Sequence, residues 1–156
     1  MLLDQLQADL KSAQLARDEV KVSTLRLLLS EVKNREISKG EVLPDEEVIS
    51  VVQREVKKRK EAAEGFRRGD REDSAAAEEL EAKVLESYLP VQMSSEELTK
   101  LVEDTISEAC QLTPVSETGA ASLQDMGKII RLVMDKSVGR ADGGTISALV
   151  KEKLTH

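Results

Sequence analysis

The chain has 156 residues, of which 40% are hydrophobic and 34% are charged, and this balance excludes an intrinsically disordered chain. It contains one Phe, one Tyr and no Trp, so its apolar residues are mostly aliphatic and suit helix packing better than a β-rich core. The net charge of −7 argues against unspecific binding to nucleic acid, because an acidic protein repels phosphates.

Apolar residues at helical spacing predict four helices in the first part of the chain. The first two carry apolar stripes that begin at Leu3 and at Val22. Pro44 and the acidic residues after it mark the start of the third helix, because proline and carboxylates are both favoured in a first turn. The fourth is predicted from about Ser74 and ends before Pro90, since proline disfavours helix in the residue that precedes it.

Three shorter helices are predicted in the rest of the chain. Ser94 or Ser95 is expected to cap the first of them, with glutamates in its first turn. A polar loop over 111–121 follows. The next helix is expected to be capped by Ser122 and stopped by Gly139. No segment shows the two-residue alternation of a strand over a useful length.

Four helices followed by three predict an all-α protein. An N-terminal antiparallel four-helix domain is predicted over 1–90 and a small C-terminal three-helix domain over 94–156, with a linker at 91–93. The second domain is close to the lower size for independent stability, so we expect it to need support from the first domain or from a partner.

Charge is distributed unevenly along the chain. Residues 53–71 hold eight basic side chains against four acidic ones, and residues 72–108 hold two basic against eleven acidic ones. A basic stripe on an acidic protein can bind nucleic acid specifically. The alternative is that the two stretches lie side by side and neutralise each other.

A helical wheel at ~100° per residue separates two kinds of basic residue in the third helix. Arg54, Lys57 and Lys58 fall opposite the apolar stripe and form a basic ridge. Arg59 falls inside the apolar arc, where a guanidinium needs a carboxylate or a route to solvent. Glu81 occupies the matching arc of the fourth helix, so we predict a structural Arg59–Glu81 ion pair in preference to a substrate site.

The sequence offers no catalytic or metal-binding constellation. The only histidine is His156, the last residue, and Cys110 has no histidine nearby in the sequence to act as its base. One histidine and one cysteine cannot form a zinc site. Gly143–Gly144 offers backbone N–H groups to an anion, but Asp142, which we expect to cap the last helix, would repel it. We therefore predict no catalytic residue, no metal and no cofactor.

Three features predict a cytoplasmic protein that does not bind membranes. One cysteine, Cys110, excludes an internal disulfide. No apolar run approaches the ~20 residues of a membrane span. The first residues carry Asp4 and Asp9, where a leader peptide would be basic or poor in acids.

Ten short blocks, in one order, carry a resemblance to a known family. The blocks are Thr24–Leu28, Glu31–Asn34, Gln53–Glu55, Lys58–Glu61, Phe66, Gly69–Asp73, Tyr88–Pro90, Met93–Leu98, Met126–Ile130 and Gly139–Gly143. Together they resemble the YqeY-like family, also called the GatB/YqeY domain, over nearly the whole chain. The resemblance implies a helical N-terminal domain followed by a three-helix tail.

The resemblance also implies a function. It implies kinship with the C-terminal region of the B subunit of the tRNA-dependent amidotransferase and with a module of some glutaminyl-tRNA synthetases, which is thought to contact the outer corner of tRNA. The family's label, a carbon–nitrogen ligase with glutamine as amide donor, belongs to larger enzymes that carry their kinase and amidase chemistry on other domains. We therefore expect an accessory protein without intrinsic activity.

Two functional hypotheses follow. In the first, the chain binds tRNA or serves a tRNA-linked enzyme, and cations of the sixth helix and of the turn that follows it contact phosphates. The candidate residues are Lys128, Arg131, Lys136 and Arg140, with Arg54, Lys57 and Lys58 of the basic ridge as further candidates. In the second, the chain is a helical adaptor whose basic ridge docks an acidic protein partner.

Overall fold

The structure is a computed structural model, and it describes residues 1–112 and 125–155. Within these residues all regular structure is α-helical and no strand occurs, so the predicted all-α class is confirmed. The helices are α1 (Leu2–Ala16), α2 (Glu19–Lys39), α3 (Asp45–Arg68), α4 (Glu72–Glu86), α5 (Ser95–Leu112), α6 (Met126–Ser137) and α7 (Gly143–Thr155).

The chain divides into two compact units, Met1–Leu89 with α1 to α4 and Pro90–His156 with α5 to α7. Each unit has a hydrophobic core of its own. The antiparallel arrangement and the domain limits at 90 and 94 stay predictions.

The core of the first unit is built from the apolar stripes of its helices. Leu6, Leu25, Val52 and Leu85 each contribute a fully buried side chain, and burying an aliphatic side chain of this size contributes about 1.5–3 kcal/mol. The most extensive helix contact joins α3 to α4. Small buried side chains such as Ala63 line that contact, so the two backbones can approach closely.

The limits of α4 differ from the prediction. The helix begins at Glu72, two residues before the predicted start, because Glu72 and Asp73 lie in its first turn, where the helix dipole favours carboxylates. It ends at Glu86, and the amide of Leu89 donates to the Glu86 carbonyl at 3.1 Å. The chain has thus left the α-helical pattern before it reaches Pro90.

Tyr88 connects the C-terminal end of the first unit to its first helix, α1. Its side chain is buried, and its hydroxyl donates to the carboxylate of Asp9 on α1 at 2.7 Å. The buried phenol therefore has a hydrogen-bond partner, as buried tyrosines require.

The second unit starts with a capping box. Ser94 Oγ accepts from the Glu97 amide at 3.2 Å, and the Glu97 carboxylate accepts from the Ser94 amide at 2.9 Å. Ser94, one of the two predicted caps, is therefore the residue that caps α5. At α7 the Asp142 carboxylate accepts from the Thr145 amide at 3.1 Å, so the predicted cap of the last helix is confirmed.

Two predictions about the ends of α5 and α6 need correction. The loop predicted over 111–121 begins later, because α5 continues through residue 112. Helix α6 ends before Gly139, since Val138 already adopts a left-handed conformation with φ of 41°. The rest of that loop, the predicted Ser122 cap and His156 lie outside the described residues.

Candidate nucleic-acid interface

Ion pairs between α3 and α4 occupy much of the basic stretch. Lys60 Nζ lies 2.5 Å from a carboxylate oxygen of Glu86, and Arg67 Nη2 lies 2.5 Å from one of Glu79. The hydrogen bond to Glu79 is the main reason that the pKa of Arg67 is raised. The basic stretch of α3 and the acidic residues of α4 therefore lie side by side and neutralise each other in part.

Arg59 belongs to the same interface, and it is buried. Its guanidinium pairs with Glu81, and its Nη1 lies 3.5 Å from a carboxylate oxygen of Glu78. Its Nε has no hydrogen-bond partner among the described residues. The two groups that the helical wheel brings together are thus in contact, and their burial between helices assigns Arg59 to structure, since a buried guanidinium requires a carboxylate.

Three further basic side chains of the stretch interact within their own segment. Lys58 Nζ lies 3.7 Å from Glu55, Arg68 pairs with Glu64 at 3.6 Å, and the Arg71 guanidinium lies 5.1 Å from the centre of the Phe66 ring. The side chain of Lys58 remains 72% exposed, so this pair is weak.

Arg54 and Lys57 are the members of the basic ridge that stay unpaired. Both are exposed, and neither makes a hydrogen bond or ion pair with another described residue. The predicted ridge therefore keeps two fully available cations and a third, Lys58, that is loosely held.

Two of the four candidates in the second unit make interactions within that unit. Lys136 Nζ on α6 lies 2.5 Å from a carboxylate oxygen of Glu108 on α5. Arg140 Nε donates to the carbonyl of Val91 at 3.0 Å, and the Arg140 carbonyl accepts from the Met93 amide at 2.8 Å. Arg140 thus holds segment 91–93 against the turn between α6 and α7, which is a structural task.

Lys128 and Arg131 are the two candidates that remain free. Both are exposed on α6, away from the buried face that carries Ile129 and Val133. Neither has a hydrogen-bond or ion-pair partner within the described parts of the chain. Asp135 lies on the same face, one turn after Arg131, so the surface carries mixed charge.

Sequence reasoning missed a neighbour of Arg54. Arg35 on α2 lines the same groove between α2 and α3 as Arg54 does. The wheel of a single helix cannot show this proximity. The signal available in the sequence was weaker: Glu31, Asn34 and Ser38 share one face of α2 at helical spacing.

Residues 1–112 and 125–155 contain no group of three or more acidic, histidine or cysteine side chains placed to hold a metal ion. Of the helices described, none offers an apolar stretch long enough to cross a bilayer.

The profile of the Yqey-like protein family matches residues 3–154, almost the entire chain. The chain belongs to the YqeY-like family. The resemblance carried by the ten sequence blocks is thereby confirmed, and the two-unit helical structure is the form that this family member takes.

Three curated relatives that the chain resembles are fungal proteins. The protein named "Altered inheritance of mitochondria protein 41, mitochondrial" from Lachancea thermotolerans is 30% identical over 149 residues, which cover 93% of this chain and 76% of the relative. Its namesake from Eremothecium gossypii is 36% identical over 110 residues, 68% of this chain and 60% of the relative. Against the namesake from Vanderwaltozyma polyspora, the match spans 46% of the relative's length.

These relatives correct the predicted location. They are named mitochondrial proteins, which contradicts the prediction of a cytoplasmic protein. The prediction was wrong because its evidence was indirect: a single thiol excludes an internal disulfide but does not choose among compartments.

Proposed function

We propose that this YqeY-like protein is a tRNA-binding accessory protein of aminoacyl-tRNA metabolism, and that the exposed face of α6 contacts RNA phosphates. The observation that supports this proposal most directly is that Lys128 and Arg131 are exposed and unpaired. In the same unit, Lys136 pairs with a glutamate and Arg140 donates to a backbone carbonyl. An unpaired cation keeps its charge for phosphate and releases counterions on binding. The resemblance to modules of tRNA enzymes supports tRNA as the RNA.

The charge of the surface determines what kind of binding is expected. Asp135 beside Arg131 and the net charge of −7 both oppose unspecific attraction. We therefore expect moderate affinity that depends on the shape of the RNA. Two phosphate contacts on α6 should contribute about −1.4 to −1.8 to the slope of the logarithm of the binding constant against the logarithm of the salt concentration.

Reversing the charge of the α6 face tests the proposal. The double variant Lys128→Glu/Arg131→Glu should bind tRNA more weakly and with a flatter salt dependence, because two phosphate contacts are lost. Fluorescence anisotropy with labelled tRNA over a series of salt concentrations measures both quantities.

The matched control is Lys100→Glu/Lys151→Glu, which makes the same charge change at two other exposed, unpaired lysines of the second unit. It should bind tRNA much more tightly than the α6 variant. Equal affinity of the two variants, or no binding by the unmodified protein at low salt, contradicts the proposal.

We also propose that the chain has no catalytic activity of its own. The family label of a carbon–nitrogen ligase with glutamine as amide donor would then describe relatives with additional domains. The chain's one thiol, Cys110, is partly buried on α5, which favours a packing role. Amide transfer by the purified chain from glutamine to an aminoacylated tRNA in the presence of ATP would refute this part.

The adaptor hypothesis keeps one specific observation in its favour. Arg54 and Lys57 are exposed and unpaired, so the basic ridge can meet an acidic protein surface. Treatment with RNase separates the two hypotheses, because a protein partner stays bound to the chain after the RNA has been digested.

A further inference from the structure

A groove of about 250 Å³ lies between α2 and α3 in the first unit. Its polar lining comes from both helices. The polar residues are Glu31, Asn34, Arg35 and Ser38 of α2 and Arg54 and Glu55 of α3.

Four side chains of this groove are hydrogen-bond donors without a partner. The guanidinium groups of Arg35 and Arg54, the amide of Asn34 and the hydroxyl of Ser38 make no hydrogen bond or ion pair with any described residue. Lys33, another cation of α2, differs in this respect, because its Nζ lies 3.2 Å from a carboxylate oxygen of Glu36. Two planar guanidinium forks with an amide and a hydroxyl are the donor set that recognises a phosphate oxyanion.

Two carboxylates limit which oxyanion the groove accepts. Glu31 is exposed and unpaired, and Glu55 is buried, with Lys58 Nζ at 3.7 Å. Their negative charge opposes a polyphosphate, whose charge density exceeds what two arginines offset. The same carboxylates are good acceptors for hydroxyl donors. The lining therefore suits one phosphate that is joined to a hydroxylated group.

We propose that the groove between α2 and α3 binds a ribose phosphate, either of a free nucleotide or of an RNA strand. Arg35 and Arg54 hold the phosphate, and Glu31 accepts a hydrogen bond from a ribose hydroxyl. All of these residues belong to the first unit, so the site does not depend on the α6 face of the proposed function.

Titration of the full chain with ribose 5-phosphate and with inorganic phosphate, followed by nuclear magnetic resonance, tests the site. Ribose 5-phosphate should bind saturably and shift the amide signals of α2 and α3. Arg35→Gln and Arg54→Gln should each weaken it about tenfold, because each removes a charge-assisted pair of hydrogen bonds. Arg26→Gln is the matched control, since Arg26 is an exposed, unpaired arginine of α2 that does not line the groove.

A third variant tests the role of the carboxylate. Glu31→Ala should leave the affinity for inorganic phosphate unchanged or higher, and it should reduce the preference for ribose 5-phosphate. Comparison of adenosine monophosphate with a short single-stranded RNA identifies the source, because tighter binding of the RNA indicates a strand and equal binding indicates a free nucleotide.

The site is refuted if none of these ligands saturates, or if Arg26→Gln weakens binding as much as Arg54→Gln. Lys128→Glu/Arg131→Glu should bind ribose 5-phosphate like the unmodified protein. If this variant keeps full tRNA binding while ribose 5-phosphate still binds, the proposed function fails and the groove stands. If it loses tRNA binding while ribose 5-phosphate fails to bind even the unmodified protein, the groove proposal fails and the proposed function stands.

Discussion

The buried guanidinium of Arg59 is stabilised by two carboxylates of α4. Its wheel position within an apolar arc requires a counter-charge, and the structure places Glu81 and Glu78 against it. The side chain of Arg59 is 10% exposed and that of Glu81 is 23% exposed. Removing either partner leaves the other charge poorly solvated.

Glu81→Ala should lower the free energy of unfolding by about 2–3 kcal/mol, less than the full cost of breaking a buried pair because Glu78 remains. The double variant Arg59→Met/Glu81→Leu should recover most of that loss, since the buried guanidinium is removed together with Glu81 and the remaining Glu78 is 25% exposed to solvent. Urea unfolding of the single and double variants measures the difference. A double variant less stable than Glu81→Ala would contradict the structural role.

Tyr88 gives a residue-level prediction about pH. Burial, and then its hydrogen bond to the Asp9 carboxylate, raises the pKa of Tyr88 above its ordinary value near 10. A raised pKa means that the folded chain holds the phenolic proton more tightly than the unfolded chain does. Its contribution to stability is therefore complete below about pH 10 and is lost as the pH rises above that value.

Urea unfolding at about pH 8 and about pH 10.5 measures how much the free energy of unfolding falls between the two pH values. The fall should be smaller in Tyr88→Phe than in the unmodified protein, because phenylalanine has no proton to lose. At the lower pH the variant should be less stable by about 0.5–1.5 kcal/mol, the usual contribution of one hydrogen bond. An identical pH dependence of both proteins would show that the phenol does not carry the effect.

At the level of elements, the helix ends are set by local chemistry. The Ser94–Glu97 capping box and the Asp142 cap satisfy amides that the helices leave open. The end of α6 is an exception. Val138 has a φ of 41°, a left-handed conformation that is unfavourable for a β-branched residue.

Val138→Gly should raise the free energy of unfolding by about 0.5–1 kcal/mol, because glycine adopts this conformation without strain. Little burial is lost, since Val138 is 45% exposed. Thermal unfolding measures the change. Gly139→Ala is the control of opposite sign: Gly139 has a φ of 73°, so a side chain there should lower stability.

At the scale of the whole molecule, the α3–α4 ion pairs decide which charges remain for function. They pair Arg59, Lys60 and Arg67 with α4 carboxylates, so three of the eight basic residues of the stretch are neutralised within the first unit. The cations left for a ligand lie in smaller groups on each unit. For the proposed RNA-binding function, the net charge of −7 favours recognition through few, well-placed contacts, which gives specificity more than affinity.

Much of the fold and part of the candidate site followed from sequence alone. Helical periodicity predicted the all-α class, and a serine cap at Ser94 or Ser95 predicted the start of α5. The wheel positions of Arg59 and Glu81 predicted the ion pair between α3 and α4. These features depend on residues within one or two turns, or on a buried charge that has few possible partners.

Only the tertiary structure decided which exposed cations are free. Arg140 donates to Val91, 49 positions earlier in the chain, and Lys136 meets Glu108, 28 positions earlier. Arg35 shares a groove with Arg54 of the neighbouring helix. The physical reason is that a long basic side chain reaches several acceptors, and the packing of helices distant in sequence decides which acceptor lies within hydrogen-bond distance.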